Sequence, residues 1–217
     1  MWCIVVAAGS GSRFGGAKQY EWLGERRVLD WALADAASVA PRRGIDGVVL
    51  VVPPERAAQA EPTASAVVAG GDSRSASVRA GLAAVPASAE VVVVHDAARP
   101  FAGVDLFAAV VQAVVEGADA AVPGIEVVDT IKRVAGDQVV ETLERAELVA
   151  VQTPQAFRAD PLRRAHQGQP EGTDDASLVE QAGGRVVVVG GHVGNHKITT
   201  PEDLERARAT LGATSTE

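Results

Sequence analysis

Cysteine is almost absent from this chain: the single one, Cys3, lies in an apolar run near the start, so an intrachain disulfide is excluded. Histidine is scarce as well, and His166, His192 and His196 show no ligand spacing with one another or with Cys3, so no zinc site is expected. Aromatic residues make up only 4% of a chain that is 47% hydrophobic, which leaves the packing to Val, Ala and Leu, as in parallel strands covered by alanine-rich helices. No apolar run approaches the ~20 residues that cross a bilayer. No basic segment precedes the first apolar run, so neither a membrane nor a secretory signal is expected and a cytoplasmic location is. There is no excess of positive charge either. The formal net charge is -8, which excludes nucleic acid and anionic membranes as general partners and makes any local cluster of cations worth explaining. Repeats, low-complexity segments and linkers are missing, apart from a polar tail after Leu211. The 217 residues therefore read as one large domain spanning 1–217.

What is present begins at once. The run Ile4 to Ala8 ends in Gly9-Ser10-Gly11-Ser12-Arg13, followed by Phe14, Gly15, Gly16 and Lys18. Glycines let backbone N–H groups approach an anion closely, and Arg13 and Lys18 suit a polyphosphate. The dinucleotide fingerprint fails because Phe14 stands where its third glycine belongs. The Walker loop fails because Gly11 and Gly16 lead into Ala17, Lys18 and Gln19. A Gly-x-Gly-x-Arg turn with a lysine soon after suits nucleotidyl transfer.

Short Val-rich strands are expected at Trp2 to Ala7, Val48 to Val52, Ala66 to Ala69, Val91 to His95, Ala118 to Val122, Val149 to Thr153 and Arg185 to Val189. Helices are expected at Val28 to Ser38, Arg74 to Ala84, Val104 to Glu116 and Pro201 to Leu211. The alternation predicts an α/β, Rossmann-like three-layer sandwich with a mostly parallel sheet. Thr130 to Arg133 and Val139 to Leu143 flank Ala135-Gly136-Asp137-Gln138 and predict a protruding β-hairpin. A two-stranded hairpin is marginal alone in water, so this arm, at about 130–150, is expected to pack on a second subunit.

Ligands of an open parallel sheet bind beyond the carboxyl ends of its strands. There this chain places Gly70-Gly71-Asp72-Ser73-Arg74-Ser75-Ala76-Ser77, whose Asp72 or Ser73 could equally cap a helix. It also places His95-Asp96-Ala97-Ala98-Arg99 there. Asp96 ends a strand containing four consecutive valines and is costly unless paired, hydrogen-bonded or bound to a metal; a ribose hydroxyl or a hydrated magnesium ion would suit it. Arg99 could neutralise it, and His95 is expected only to satisfy a local backbone group. Asp129-Thr130-Ile131-Lys132, Arg145, Gln152-Thr153-Pro154-Gln155, Thr173-Asp174-Asp175 and Asn195-His196-Lys197 follow. Thr173-Asp174-Asp175 is also a natural helix start.

Together the segments AAGSGSRFGGAKQY, GGDSRSASV, VVHDAARPF, DTIKR, VQTPQAF, TDDASLVE and HKITTPEDL resemble the 2-C-methyl-D-erythritol 4-phosphate cytidylyltransferases of the non-mevalonate isoprenoid pathway, from Val5 to about Leu204. The resemblance implies cytidylyl transfer from CTP to a methylerythritol phosphate, with magnesium or another divalent cation and in a homodimer. It implies catalytic roles for Arg13, Lys18, Arg145 and Lys197. The nucleotide would be held by Ala7, Ala8, Gly9, Ser10, Gly11, Gly71, Asp72, Ser77, Asp96 and Ala97. The sugar-alcohol phosphate would be held by Arg99, Asp129, Thr130, Lys132, Arg145, Thr153, Thr173 and Lys197, with Thr130 and Arg145 supplied by the neighbouring subunit and Asp96 near any metal. A ribitol 5-phosphate cytidylyltransferase would share the CTP loops and differ around the hairpin and Lys197. A non-catalytic nucleotide-binding module could dispense with Arg13 or Lys18, and this chain has both.

Overall fold

The computed structural model describes residues 1–43 and 45–214. Its first elements are Trp2–Val6 (β1), Trp22–Leu23 (β2), Arg26–Arg27 (β3), Val28–Arg43 (α1), Gly47–Val52 (β4), Ala66–Ala69 (β5) and Arg74–Ala84 (α2). Val91–Asp96 (β6), Gly103–Val115 (α3) and Ala120–Glu126 (β7) complete the first half of the sheet and its helices. Lys132–Ala135 (β8), Gln138–Thr142 (β9), Val149–Val151 (β10) and Gln155–Arg158 (β11) come next. The chain then runs through Ala159–Ala165 (α4), Asp175–Gln181 (α5), Val186–Gly190 (β12) and Pro201–Thr214 (α6).

β1 lies between β4 and β6 and is parallel to both, and β5 continues the parallel series beyond β4. β11 is inserted antiparallel between β6 and β7, while β12 pairs parallel with β7. The sheet is therefore mostly parallel, as expected, with β10 and β11 as antiparallel departures. The stretch expected as a strand at Val149 to Thr153 forms only β10, because Gln152 and Thr153 turn their side chains to polar partners at the site.

Alternation along the strands loads both faces. Cys3, Val5, Leu50 and Val93 meet Leu29 and Leu33 of α1 and Phe107, Val110 and Val111 of α3. Ile4, Val49, Val51, Val92 and Val94 meet Val78 and Leu82 of α2, Leu162 of α4 and Leu178 of α5. Strands buried on both faces need continuous apolar sequence, which explains the runs of valine. Each such side chain contributes about 1.5–3 kcal/mol over its exposed state.

A third cluster joins Leu23, Val28, Ile198, Leu204 and Ala207, docking α6 beside the β2–β3 turn. The Asp203 carboxylate accepts the Thr199 and Thr200 N–H groups at 2.8 and 2.9 Å, and Thr200 Oγ1 accepts the Asp203 N–H in return. This reciprocal cap pins the segment that follows Lys197. The hairpin pairs β8 only with β9, and Val134, Val139 and Val140 on it are exposed.

Candidate active site

The turn after β1 is built around one carbonyl. Gly11 O accepts the N–H groups of Phe14, Gly15 and Gly16 at 2.8, 2.9 and 3.3 Å, with Gly11 itself at φ +67°. A Cβ on Gly11 would collide with the Gly16 backbone oxygen, so no other residue fits this fold of the loop. Behind it, the buried Gln19 donates Nε2 to the Ala7 and Gly9 carbonyls. The N–H groups of residues 8–13 find no acceptor among the described residues, which leaves a run of donors for an anion.

These donors face a cavity of about 490 Å³ lined by Ala8 to Arg13, Lys18, Gly71 to Arg74, Ser77, Asp96, Ala98 and Lys197. The strand ends thus converge as the topology requires. Ala7 and Ala97 lie below this lining, fully in the core, where Ala97 N–H donates to Val6 O. Opposite the glycine turn, Ser73 caps α2 by accepting the Ala76 N–H at 3.0 Å, so the cap is Ser73 and Asp72 remains exposed at the cavity. Ser77 Oγ accepts the Gly71 N–H at 3.2 Å and donates to Ser73 O at 2.8 Å, fixing the Gly70-Gly71 backbone as the far wall.

Between the two walls stands Asp96. Lys197 Nζ lies 2.6 Å from its Oδ2, Arg74 Nε donates to its Oδ1 at 3.2 Å, and its N–H donates to Thr153 Oγ1. Burial opposes its charge, but Arg74, Lys197 and Arg99 outweigh burial and hold the carboxyl well below the usual carboxylate range. Lys18 is also lowered, here at the expense of its charged form: burial, Lys197 and Arg13 together bring it below the ordinary lysine value. His95, expected to satisfy only a local backbone group, sets Nε2 against Arg99 O and Nδ1 against Thr153 Oγ1, each at 3.1 Å.

A second cavity of about 240 Å³ shares the Arg74, Asp96 and Lys197 wall and is lined further by Arg99, Gln152, Thr153, Gln155, Thr173 and Asp174. Arg99 Nη1 donates to Asn195 O, and the buried Asn195 donates Nδ2 to Thr153 O, so the loop carrying Lys197 is tied to the turn carrying Thr153. Asp174 caps α5 by accepting the Ser177 N–H, as expected of a helix start. Arg99, Thr153, Thr173 and Lys197 are therefore gathered in one place. Asp129, Thr130, Lys132 and Arg145 are not: they are exposed on or beside the hairpin and line neither cavity.

Arg74 does not stand out in the sequence as a site residue, although a signal exists. A cation at the first position of a helix opposes the dipole, a cost that carboxylate partners offset. Ser12 and Ser73 also line the first cavity without standing out in the sequence.

Among the described residues no three His, Cys, Asp or Glu side chains gather as a metal cage. Asp96 is an oxygen donor of the kind a hydrated magnesium ion takes, and its two oxygens carry Lys197 and Arg74 in this structure.

The family model described as 2-C-methyl-D-erythritol 4-phosphate cytidylyltransferase matches residues 1–213. The enzyme of that name from Streptomyces avermitilis is 44% identical over 228 residues, covering 96% of this chain and 90% of that protein. The bifunctional enzyme IspD/IspF of Nitratidesulfovibrio vulgaris is 44% identical over 224 residues, and this chain spans only 56% of its length. The crystal structure of the cytidylyltransferase from Thermus thermophilus superposes with a TM-score of 0.78 at 34% identity, over 96% of this chain and 98% of that one. The synthase structure from Anaerococcus prevotii gives 0.81 at 30% identity, with 97% of each chain covered.

Proposed function

The chain belongs to the 2-C-methyl-D-erythritol 4-phosphate cytidylyltransferase family, and from that premise we propose that it transfers the cytidylyl group of CTP to 2-C-methyl-D-erythritol 4-phosphate. The observation that carries this reading is the convergence of Arg13, Lys18 and Lys197 on one cavity walled by free backbone donors. The acceptor's phosphate oxygen is already anionic and needs no general base. It attacks the α-phosphorus in line; the new P–O bond forms as the bond to the β-phosphate oxygen breaks, and pyrophosphate leaves with the electron pair. Positioning and charge stabilisation do the catalytic work.

In this mechanism the donors of residues 8–13 hold the triphosphate, and Arg13 and Lys18 offset the charge growing on the departing pyrophosphate. The Gly71, Asp72 and Ser77 wall, built of backbone and small side chains, receives the cytosine. Arg99, Thr153 and Thr173 receive the polyol phosphate across the shared wall, and Lys197 serves both substrates. A magnesium ion on Asp96, when bound, would neutralise part of the triphosphate charge. The exposed valines of the arm suit a homodimer in which the partner subunit's Thr130 and the partner subunit's Arg145 complete the acceptor side, joined there by Asp129 and Lys132. No described helix is long and apolar enough to cross a membrane.

Pyrophosphate release tests the reading. Turnover with CTP, magnesium and methylerythritol 4-phosphate, lost in Lys18→Ala, is expected. Turnover with ribitol 5-phosphate alone would move the enzyme to another acceptor, and silence with both would leave a nucleotide-binding module.

A further inference from the structure

Arg74 holds together more than the first turn of α2 requires. Its Nε donates to Asp96 and its Nη1 donates to Asp175 Oδ2 at 2.7 Å. Asp175 is fully buried, and its other oxygen faces His166 Nε2 at 3.0 Å. Arg74 Nη2 is also buried, without an acceptor among the described residues. A buried ionic chain with an unpaired donor is a poor way to gain stability, because well-packed apolar residues serve as well or better. The chain runs from the interior to one place only, the carboxylate that holds Lys197.

Lys197 lies on the wall shared by both cavities, 2.6 Å from Asp96. To move onto a substrate phosphate its ammonium loosens its one bond to that carboxylate, and a buried carboxylate left without a cation, before any magnesium ion arrives, resists the change. We propose that Arg74 is a positioning residue: it keeps a permanent cation on Asp96, so that Lys197 is free to move onto a substrate phosphate. Asp175 anchors the guanidinium, holding it in place while Lys197 moves. The turnover part of this inference rests on the cytidylyltransferase reading; the binding part does not.

Two readouts on the full chain test it: turnover with CTP and methylerythritol 4-phosphate, and affinity for inorganic pyrophosphate by calorimetry. Asp175→Asn retains an acceptor for Nη1 and is expected to keep turnover within about threefold of the parent. Arg74→Gln combined with Asp175→Asn removes the buried charges together. It is expected to melt cooperatively while losing kcat by on the order of a hundredfold and pyrophosphate affinity by about tenfold.

Arg74→Lys supplies a second series, since one ammonium must choose between two carboxylates. Adding Asp175→Asn to Arg74→Lys releases that ammonium to Asp96 and is expected to raise kcat and pyrophosphate affinity; a simple tie between α2 and α5 predicts a further fall. Parent-like kcat and affinity in the folded Arg74→Gln/Asp175→Asn protein, or that further fall, overturns the proposal. Silence of the parent with every acceptor overturns the cytidylyltransferase reading instead, and the pyrophosphate series still decides what Arg74 does.

Discussion

Gln19 reaches back to the end of β1 and donates its side-chain amide to the Ala7 carbonyl at 2.7 Å, with Gly9 O as a second acceptor at 3.3 Å. The phosphate loop is thereby closed by a residue that never faces the cavity. Gln19→Leu keeps the volume and removes both donors, leaving a buried carbonyl unpaired. A loss of about 1–3 kcal/mol in stability is expected. The loop glycines also lose their fixed aim, so KM for CTP should rise more than kcat falls. Thermal denaturation beside steady-state kinetics checks both, and an unchanged KM for CTP would remove Gln19 from the account of the loop.

Lys18 supplies a pH-dependent test of the same loop. Burial, Lys197 and Arg13 lower its pKa below the ordinary 10.5, so folded Lys18 loses its proton in an alkaline window where the unfolded chain still holds one. The unfolded state binds more protons there, so this group makes stability rise as pH climbs through the window. Nucleotide affinity goes the other way, because a neutral amine does not attract a triphosphate. Binding must restore the proton, and calorimetry in two buffers of different ionisation heat should record proton uptake with CTP in that window and little near neutrality. Lys18→Arg, always charged, should abolish the uptake; its persistence would place the proton elsewhere.

His95 governs the acid side. Complete burial lowers its pKa from 6.5 to about 4, despite the nearby Asp96 carboxylate, and its ring packs 5.1 Å from Phe107. As pH falls below 6.5 the unfolded chain takes up a proton that the folded one refuses, so stability drops progressively until about pH 4. The loss is on the order of 3 kcal/mol. His95→Gln, which keeps a donor and an acceptor without titrating, should flatten the stability profile between those limits. Urea denaturation at a series of pH values measures the slope; an equal slope in the variant would assign the acid loss to other groups.

The centre of the sheet was legible in the sequence because both its faces are buried at Val48 to Val52 and Val91 to His95; Ala66–Ala69, a partly exposed edge strand, and Arg74–Ala84 also appear with the bounds expected. β11 was not legible. Gln155–Arg158 is four residues long, follows Pro154 and pairs antiparallel, so neither length nor periodicity marks it. At the site, the phosphate loop and Asp96 stood out because glycine runs and a carboxylate ending a valine strand have few other uses. Arg74 did not, because its partners Asp96 and Asp175 are remote in sequence and meet it only through the crossover of α2 and the docking of α5. The hairpin was legible as a hairpin, but nothing local to it says which site its polar residues serve.

Subunit exchange decides which site the arm serves. Lys18 lines the cavity of its own chain, whereas Arg145 is exposed beside the arm and lines neither cavity. If the arm of one subunit completes the site of the other, Lys18→Ala and Arg145→Ala disable different halves of each composite site. In a heterodimer of the two variants, one site lacks both groups. The other takes Lys18 from the Arg145→Ala chain and Arg145 from the Lys18→Ala chain, and is intact. Random exchange of equal amounts makes half of the dimers mixed, so about a quarter of parental turnover should return on mixing. Each variant alone should stay depressed by on the order of a hundredfold. Val139→Glu in both chains, which charges the exposed apolar face of the arm, should prevent the recovery and give a monomer on sizing. No recovery between variants that do exchange subunits would place Arg145 in the site of its own chain and would require the arm to fold back over Arg99 and Thr153.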